Sequence, residues 1–126
     1  MLDQYLRIQV ETATPGELVL MVYESTIRSL EKAKLKLSKN NVEEANESLF
    51  KAQNAIAELI GALNLEVGEI ATSLHNLYSF MLRKLNDAVI KKQKNPIDEV
   101  ITLLNSLKEA WEEVVKRGTK GIVVQA

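Results

Sequence analysis

Four runs of apolar residues recur at alternating three- and four-residue steps, and that period confines the chain to helices packed side by side. Val42, Ala45, Leu49, Ala52, Ile56, Leu59 and Leu63 keep the alternation most strictly, which lines them along one helical stripe. Val19, Val22, Tyr23, Thr26, Leu30, Ala33 and Leu37 form an earlier stripe. Ile70, Leu74, Leu77, Met81, Leu85 and Ala88 form a third, and Ile97, Val100, Leu104, Leu107, Trp111 and Val114 a fourth. No strand-like run appears outside the tail after Gly118, whose only sticky part is Ile122-Val123-Val124, so a sheet is excluded.

Start and stop signals bound each stripe. Thr14-Pro15-Gly16-Glu17 supplies a capping hydroxyl, a proline where a missing N–H costs nothing, and a carboxylate three residues past the cap. It predicts a helix over 15–38. Asn41 followed by Glu44 is a second cap signal and predicts a helix over 42–64. Gly68 then turns the chain, and Glu69 brings negative charge to the start of a third helix, 69–92. Asn95-Pro96-Ile97-Asp98 repeats the cap, proline and carboxylate, opening a fourth over 96–117, where Lys116, Arg117 and Gly118 close it. Loops this short join antiparallel neighbours. The expectation is a single all-α domain over residues 1–126: an antiparallel up-down four-helix bundle with a flexible N-terminal arm and a short C-terminal tail.

Chemistry is scarce. The chain has no cysteine, which removes disulfides, thiolate zinc sites and cysteine nucleophiles. His75 is the only histidine, and Thr72 stands where a di-metal bundle would place an acid, so it reads as a flank residue. No serine sits in a glycine-flanked elbow, and the scattered glycines form no phosphate-binding loop. Glu43, Glu44, Glu47, Glu109, Glu112 and Glu113 alternate with lysines as a solvated helix face does. No catalytic residue, metal or cofactor is assigned, and the chain is not expected to be an enzyme. A formal charge of −1 offers no general attraction for nucleic acid or an anionic lipid surface. Met1 to Pro15 carries polar and charged residues throughout, unlike a signal peptide or membrane span, so a cytosolic location without membrane insertion is expected.

What remains is apolar surface beyond four stripes. Leu20 and Ile27 fall about a quarter-turn outside the first stripe, and Met21 and Leu35 lie farther round, so Leu18 to Tyr23 is apolar nearly all the way around. Ala71, Tyr78, Leu82 and Val89 form a second line beside the third stripe, and Phe50 and Phe80 lie off the core of their helices. Tyr5, Leu6, Ile8 and Val10 precede the first cap without a helical period, as an arm that can lie against apolar surface. Two readings stand: a wide buried flank, or a groove for an amphipathic helix.

The residues also resemble a known family. Val10-Glu11-Thr12-Ala13-Thr14-Pro15-Gly16-Glu17-Leu18, with the apolar run to Tyr23, is similar to the opening of FliS-type flagellar secretion chaperones. Lys51-Ala52-Gln53, Glu58-Leu59, Leu63-Asn64, Glu69-Ile70-Ala71, Leu77-Tyr78, Met81 and Arg83 resemble its second block. Ile97-Asp98-Glu99-Val100, Leu103-Leu104 and Ala110-Trp111 resemble its last helix. Departures fall at Ile8, Ser25 and the lone Gly68, where the family often has asparagine, glycine and paired glycines. The resemblance implies a cytosolic, non-enzymatic chaperone that needs neither ATP nor metal. Such a chaperone binds the disordered C-terminal segment of flagellin, prevents premature polymerisation and delivers it for type III flagellar secretion. Family members are also linked to the export gate and to other flagellar regulatory proteins, contacts no residue here assigns. Together the apolar pattern and the resemblance nominate Tyr5, Ile8, Val10, Leu20, Met21, Tyr23, Ile27, Tyr78 and Leu82 as flagellin-binding residues. A chaperone is expected to be a monomer or weak homo-oligomer; a generic adaptor bundle would bury the same stripes in a stable one.

Overall fold

The computed structural model describes residues 13–117, so the arm through Thr12 and the tail from Gly118 lie outside the described residues. Four helices follow in order: α1 (Pro15–Ser38), α2 (Val42–Gly61), α3 (Glu69–Lys91) and α4 (Asn95–Lys116), with a 3-10 turn at Leu65–Val67 before α3. Contacts run α1 to α2, α2 to α3, α3 to α4 and α4 back to α1, closing a ring. Directions follow from ion pairs: Lys34, late in α1, meets Asp98, early in α4, at 2.6 Å, and Lys84 of α3 meets Glu99 of α4 at 3.0 Å. The ring is the antiparallel up-down bundle, and the described residues contain no strand element.

The caps explain most boundaries. Thr14 Oγ1 accepts the Glu17 N–H at 3.2 Å and donates to the Glu17 carboxylate at 3.0 Å, so α1 starts where expected. Asn41 Oδ1 accepts the Glu44 N–H at 3.2 Å and starts α2. Helix α2 ends at Gly61 instead of near Asn64, because Asn64 Oδ1 takes the Glu66 N–H and draws the chain into the 3-10 turn. Gly68 follows at φ +116°, a conformation side chains other than glycine's rarely allow, and swings the chain into α3. The fourth cap differs from expectation. Lys94 occupies the cap position, with the Asp98 N–H donating to its carbonyl at 2.9 Å, so Asn95 is already helical and makes no capping bond.

The core lies along the bundle axis. Tyr23, Leu30, Ala33, Leu49, Ala52, Ile56, Met81, Leu85, Ile97, Val100 and Leu104 are fully buried or nearly so, and each large aliphatic among them contributes roughly 1.5–3 kcal/mol. The stripes of α1, α2 and α4 lie where periodicity places them, with Ile101 added to the last. That of α3 is rotated. Leu74, Met81, Leu85 and Ala88 are buried where periodicity places them. But Ala71 and Tyr78 are buried with them on one edge, while on the other Leu77 is half-buried and Ile70 is 62% exposed. At one end, the Trp111 indole N–H donates to the Gly16 carbonyl at 2.9 Å, tying the first turn of α1 to α4. Gly16 also lets Val115 pack close: a Cβ there would sit 3.0 Å from Val115 Cγ2.

Candidate binding surface

Two lines of half-buried apolar side chains flank the core. Leu20, Ile27 and Lys34 recur every seven residues and so share one edge of α1. Because Lys34 reaches Asp98, that edge runs along α4. On α3, Leu77 and Lys84 share one edge, and Lys84 reaches Glu99 of α4. Leu82 and Val89 lie on the opposite edge of the same helix, toward α2. All five apolar side chains are partly buried against the core. The Leu20 and Ile27 line and the Leu82 line therefore occupy opposite sides of the ring and do not meet in one groove.

Met21 shares the outer face of α1 with Leu35, half-buried in the first case and 52% exposed in the second. Phe50 is 51% exposed on α2. Tyr5, Ile8 and Val10 lie outside the described residues. Tyr23 sits in the core, as its place in the first stripe implies, and Tyr78 joins it there instead of lying on a flank, because their hydroxyls share a hydrogen bond of 2.6 Å across the diagonal between α1 and α3. Trp111 packs edge-on against Tyr23, ring centroids 6.2 Å apart. Burial pushes both phenols above the ordinary tyrosine range, with Tyr78 itself adding to the shift at Tyr23. Both stay neutral at physiological pH.

Sequence reasoning missed the seam between α3 and α4. Phe80 stands there with the Arg83 guanidinium and the Lys84 ammonium 6.0 and 5.5 Å from its ring centre. A shallow depression of about 320 Å³ lies beside it, lined by Phe80, Glu99, Thr102 and Leu103. The signal was the pair Leu103-Leu104: of two adjacent leucines on a helix only one can face the axis, and Leu104 does. Electrostatics at the other seams is modest. Lys36 meets Glu44 at 2.7 Å and holds its carboxyl below the usual range, chiefly through the hydrogen bond. Lys34 is raised by its hydrogen bond to Asp98. Such half-exposed pairs orient helices more than they stabilise them. Among the described residues no group of three or more histidine, aspartate or glutamate side chains could hold a metal, and no helix is long and apolar enough to cross a membrane.

Apolar residues overflow the core of this four-helix module on two sides, as half-buried lines packed against it. The comparisons give that module its family. The family described as "Flagellar protein FliS" matches residues 1–118. The flagellar secretion chaperone FliS of Bacillus subtilis is 34% identical, over 92% of this chain and 86% of its own. Its counterpart in Salmonella typhimurium is 35% identical, over 87% of this chain and 86% of its own. A solved structure described as a flagellar chaperone from bacteria superposes with a TM-score of 0.78 at 19% identity, over 92% of this chain and 98% of that one, a likeness of fold. The chain belongs to the FliS family, and with it to the flagellar secretion chaperones, a chaperone family and not an enzyme family.

Proposed function

We propose that this chaperone binds the disordered C-terminal segment of flagellin in the cytosol, keeps it from polymerising and delivers it for type III flagellar secretion. The observation that carries the reading is the pair of apolar lines on opposite sides of the bundle, Leu20 and Ile27 along α4 and Leu82 with Val89 along α2. A disordered client gains affinity by laying its own apolar residues on such lines and loses part of that gain to ordering. Met21 and Leu35 extend the surface over the outer face of α1. Tyr23 and Tyr78, being buried, support the surface from beneath, and the arm residues Tyr5, Ile8 and Val10 are further proposed contacts.

Titration calorimetry with a flagellin C-terminal peptide tests the reading. Wild-type chain binds, and Ile27→Ser or Leu82→Ser weakens binding by about 1–3 kcal/mol, roughly five- to hundred-fold, while circular dichroism stays unchanged. Equal binding by folded variants would move the client off these lines. No binding by the wild type would end the flagellin reading itself.

A further inference from the structure

Helix α3 carries more apolar surface than one stripe can bury. Ile70 and Leu77 lie on one side of its central line and Leu82 and Val89 on the other. Turning the helix about its axis by a fraction of the ~100° step between residues would therefore bury a different set of apolar side chains. Apolar burial is non-directional and separates such settings poorly. Leu74, Met81, Leu85 and Ala88 face the core in either setting; periodicity alone adds Ile70 and Leu77 to them, whereas the structure adds Ala71 and Tyr78.

One directional contact distinguishes the two settings. Tyr78 meets Tyr23 hydroxyl to hydroxyl at 2.6 Å, with the rings edge-on at 6.4 Å. Among the described residues it is the buried hydrogen bond between side chains of different helices. The buried Thr26 hydroxyl, by contrast, donates to the Val22 carbonyl of its own helix at 2.7 Å and says nothing to its neighbours. Tyr23 is itself held from a third side by Trp111, which is anchored to Gly16. Rotating Tyr78 off the diagonal would leave the Tyr23 hydroxyl in the core without a partner, the costly outcome for a buried polar group.

We propose that the Tyr23–Tyr78 hydrogen bond sets the rotation of α3 and so decides which of its surplus apolar residues face outward. The wide apolar band gives the surface its capacity to bind; the phenol pair keeps that band from making the packing ambiguous. Leu77 and Lys84 are thereby turned toward α4, where Lys84 meets Glu99, and Leu82 and Val89 toward α2. The role is one of specificity, of the kind a single buried polar pair performs in helical assemblies. It holds whatever client the surface takes.

The test removes both hydroxyls at once, so that neither is orphaned. In Tyr23→Phe/Tyr78→Phe the expected result is a melting temperature within a few degrees of wild type. Its Leu77 and Leu82 methyl resonances should be doubled or broadened in carbon-13 NMR spectra, and binding of a hydrophobic dye should rise several-fold. Leu104→Val, which trims the core without touching a polar group, should instead lower the melting temperature and keep single resonances. Single, wild-type-like Leu77 and Leu82 methyls in the double variant would overturn the proposal. Failure of the double variant to fold would overturn it too, because the pair would then carry stability and not rotation.

Discussion

The two core phenols share one hydrogen bond, so removing either oxygen strands the other. Tyr23→Phe or Tyr78→Phe alone should cost about 1–3 kcal/mol, and the double replacement less than the sum of the two, measured by urea unfolding. Their titration adds a pH signature. Both pKa values are raised in the folded chain, mainly by burial, above the ordinary value near 10 of the unfolded one. Above that value the unfolded chain releases protons the folded chain retains. The contribution is therefore fully present below about pH 10 and is lost as pH rises further. Unfolding midpoints compared between about pH 8 and about pH 11 should fall more steeply for wild type than for the double phenylalanine variant, which lacks those protons. Parallel slopes would show that the phenols reach solvent. The sequence places Tyr23 within a core stripe and Tyr78 beside one, and nominates both as surface contacts, since a tyrosine reads equally well as a flank with a wet hydroxyl. What it could not display was the partner across the diagonal, 55 residues away, that lets both hydroxyls leave water.

Helices were legible where the signal was local. Caps at Thr14 and Asn41 act within three residues, and both are found as read. At α4 the same pattern misled by one residue, since the chain enters through Lys94. This yields a contrast: Thr14→Ala and Asn41→Ala should each cost roughly 0.5–2 kcal/mol in thermal unfolding, while Asn95→Ala should leave stability almost unchanged. A cost at Asn95 matching the other two would restore it as the cap. Rotation about an element's axis is a tertiary property, which is why one edge of the α3 stripe differs from expectation: Ile70-Ala71 and Leu77-Tyr78 each offer an apolar residue on either side of the central line. The correction makes a second contrast. Leu74→Asp should abolish the folded circular dichroism spectrum, because Leu74 is buried and an unpaired carboxylate there costs several kcal/mol. Ile70→Asp, one turn earlier and largely exposed, should keep that spectrum. Similar behaviour of the two would return Ile70 to the core.

At the scale of the whole molecule, the ring order α1, α2, α3, α4 separates residues that the sequence had grouped as one surface. Leu20 and Ile27 face the seam with α4, and Leu82 faces the seam with α2, with the core between them. Apolar surplus on each helix was visible in the pattern of residues. The side on which each surplus falls depends on which helices are neighbours, and that followed only from contacts such as Lys34 with Asp98. The geometry makes the client's reach a measurable quantity. A flagellin segment long enough to wrap the bundle would touch both lines, and since the lines share no partner their contributions should add within about 0.5 kcal/mol. Ile27→Ser/Leu82→Ser should therefore weaken binding of the full C-terminal segment by nearly the product of the single effects. A half-length peptide should respond to one substitution and ignore the other, and its affinity should be far lower because the second contact no longer benefits from being tethered to the first. Calorimetry on the four proteins with the full and half-length peptides reads all of these terms. If the half-length peptide were weakened by both substitutions, the client would be contacting both sides without wrapping, and α1 and α3 would have to move together on binding.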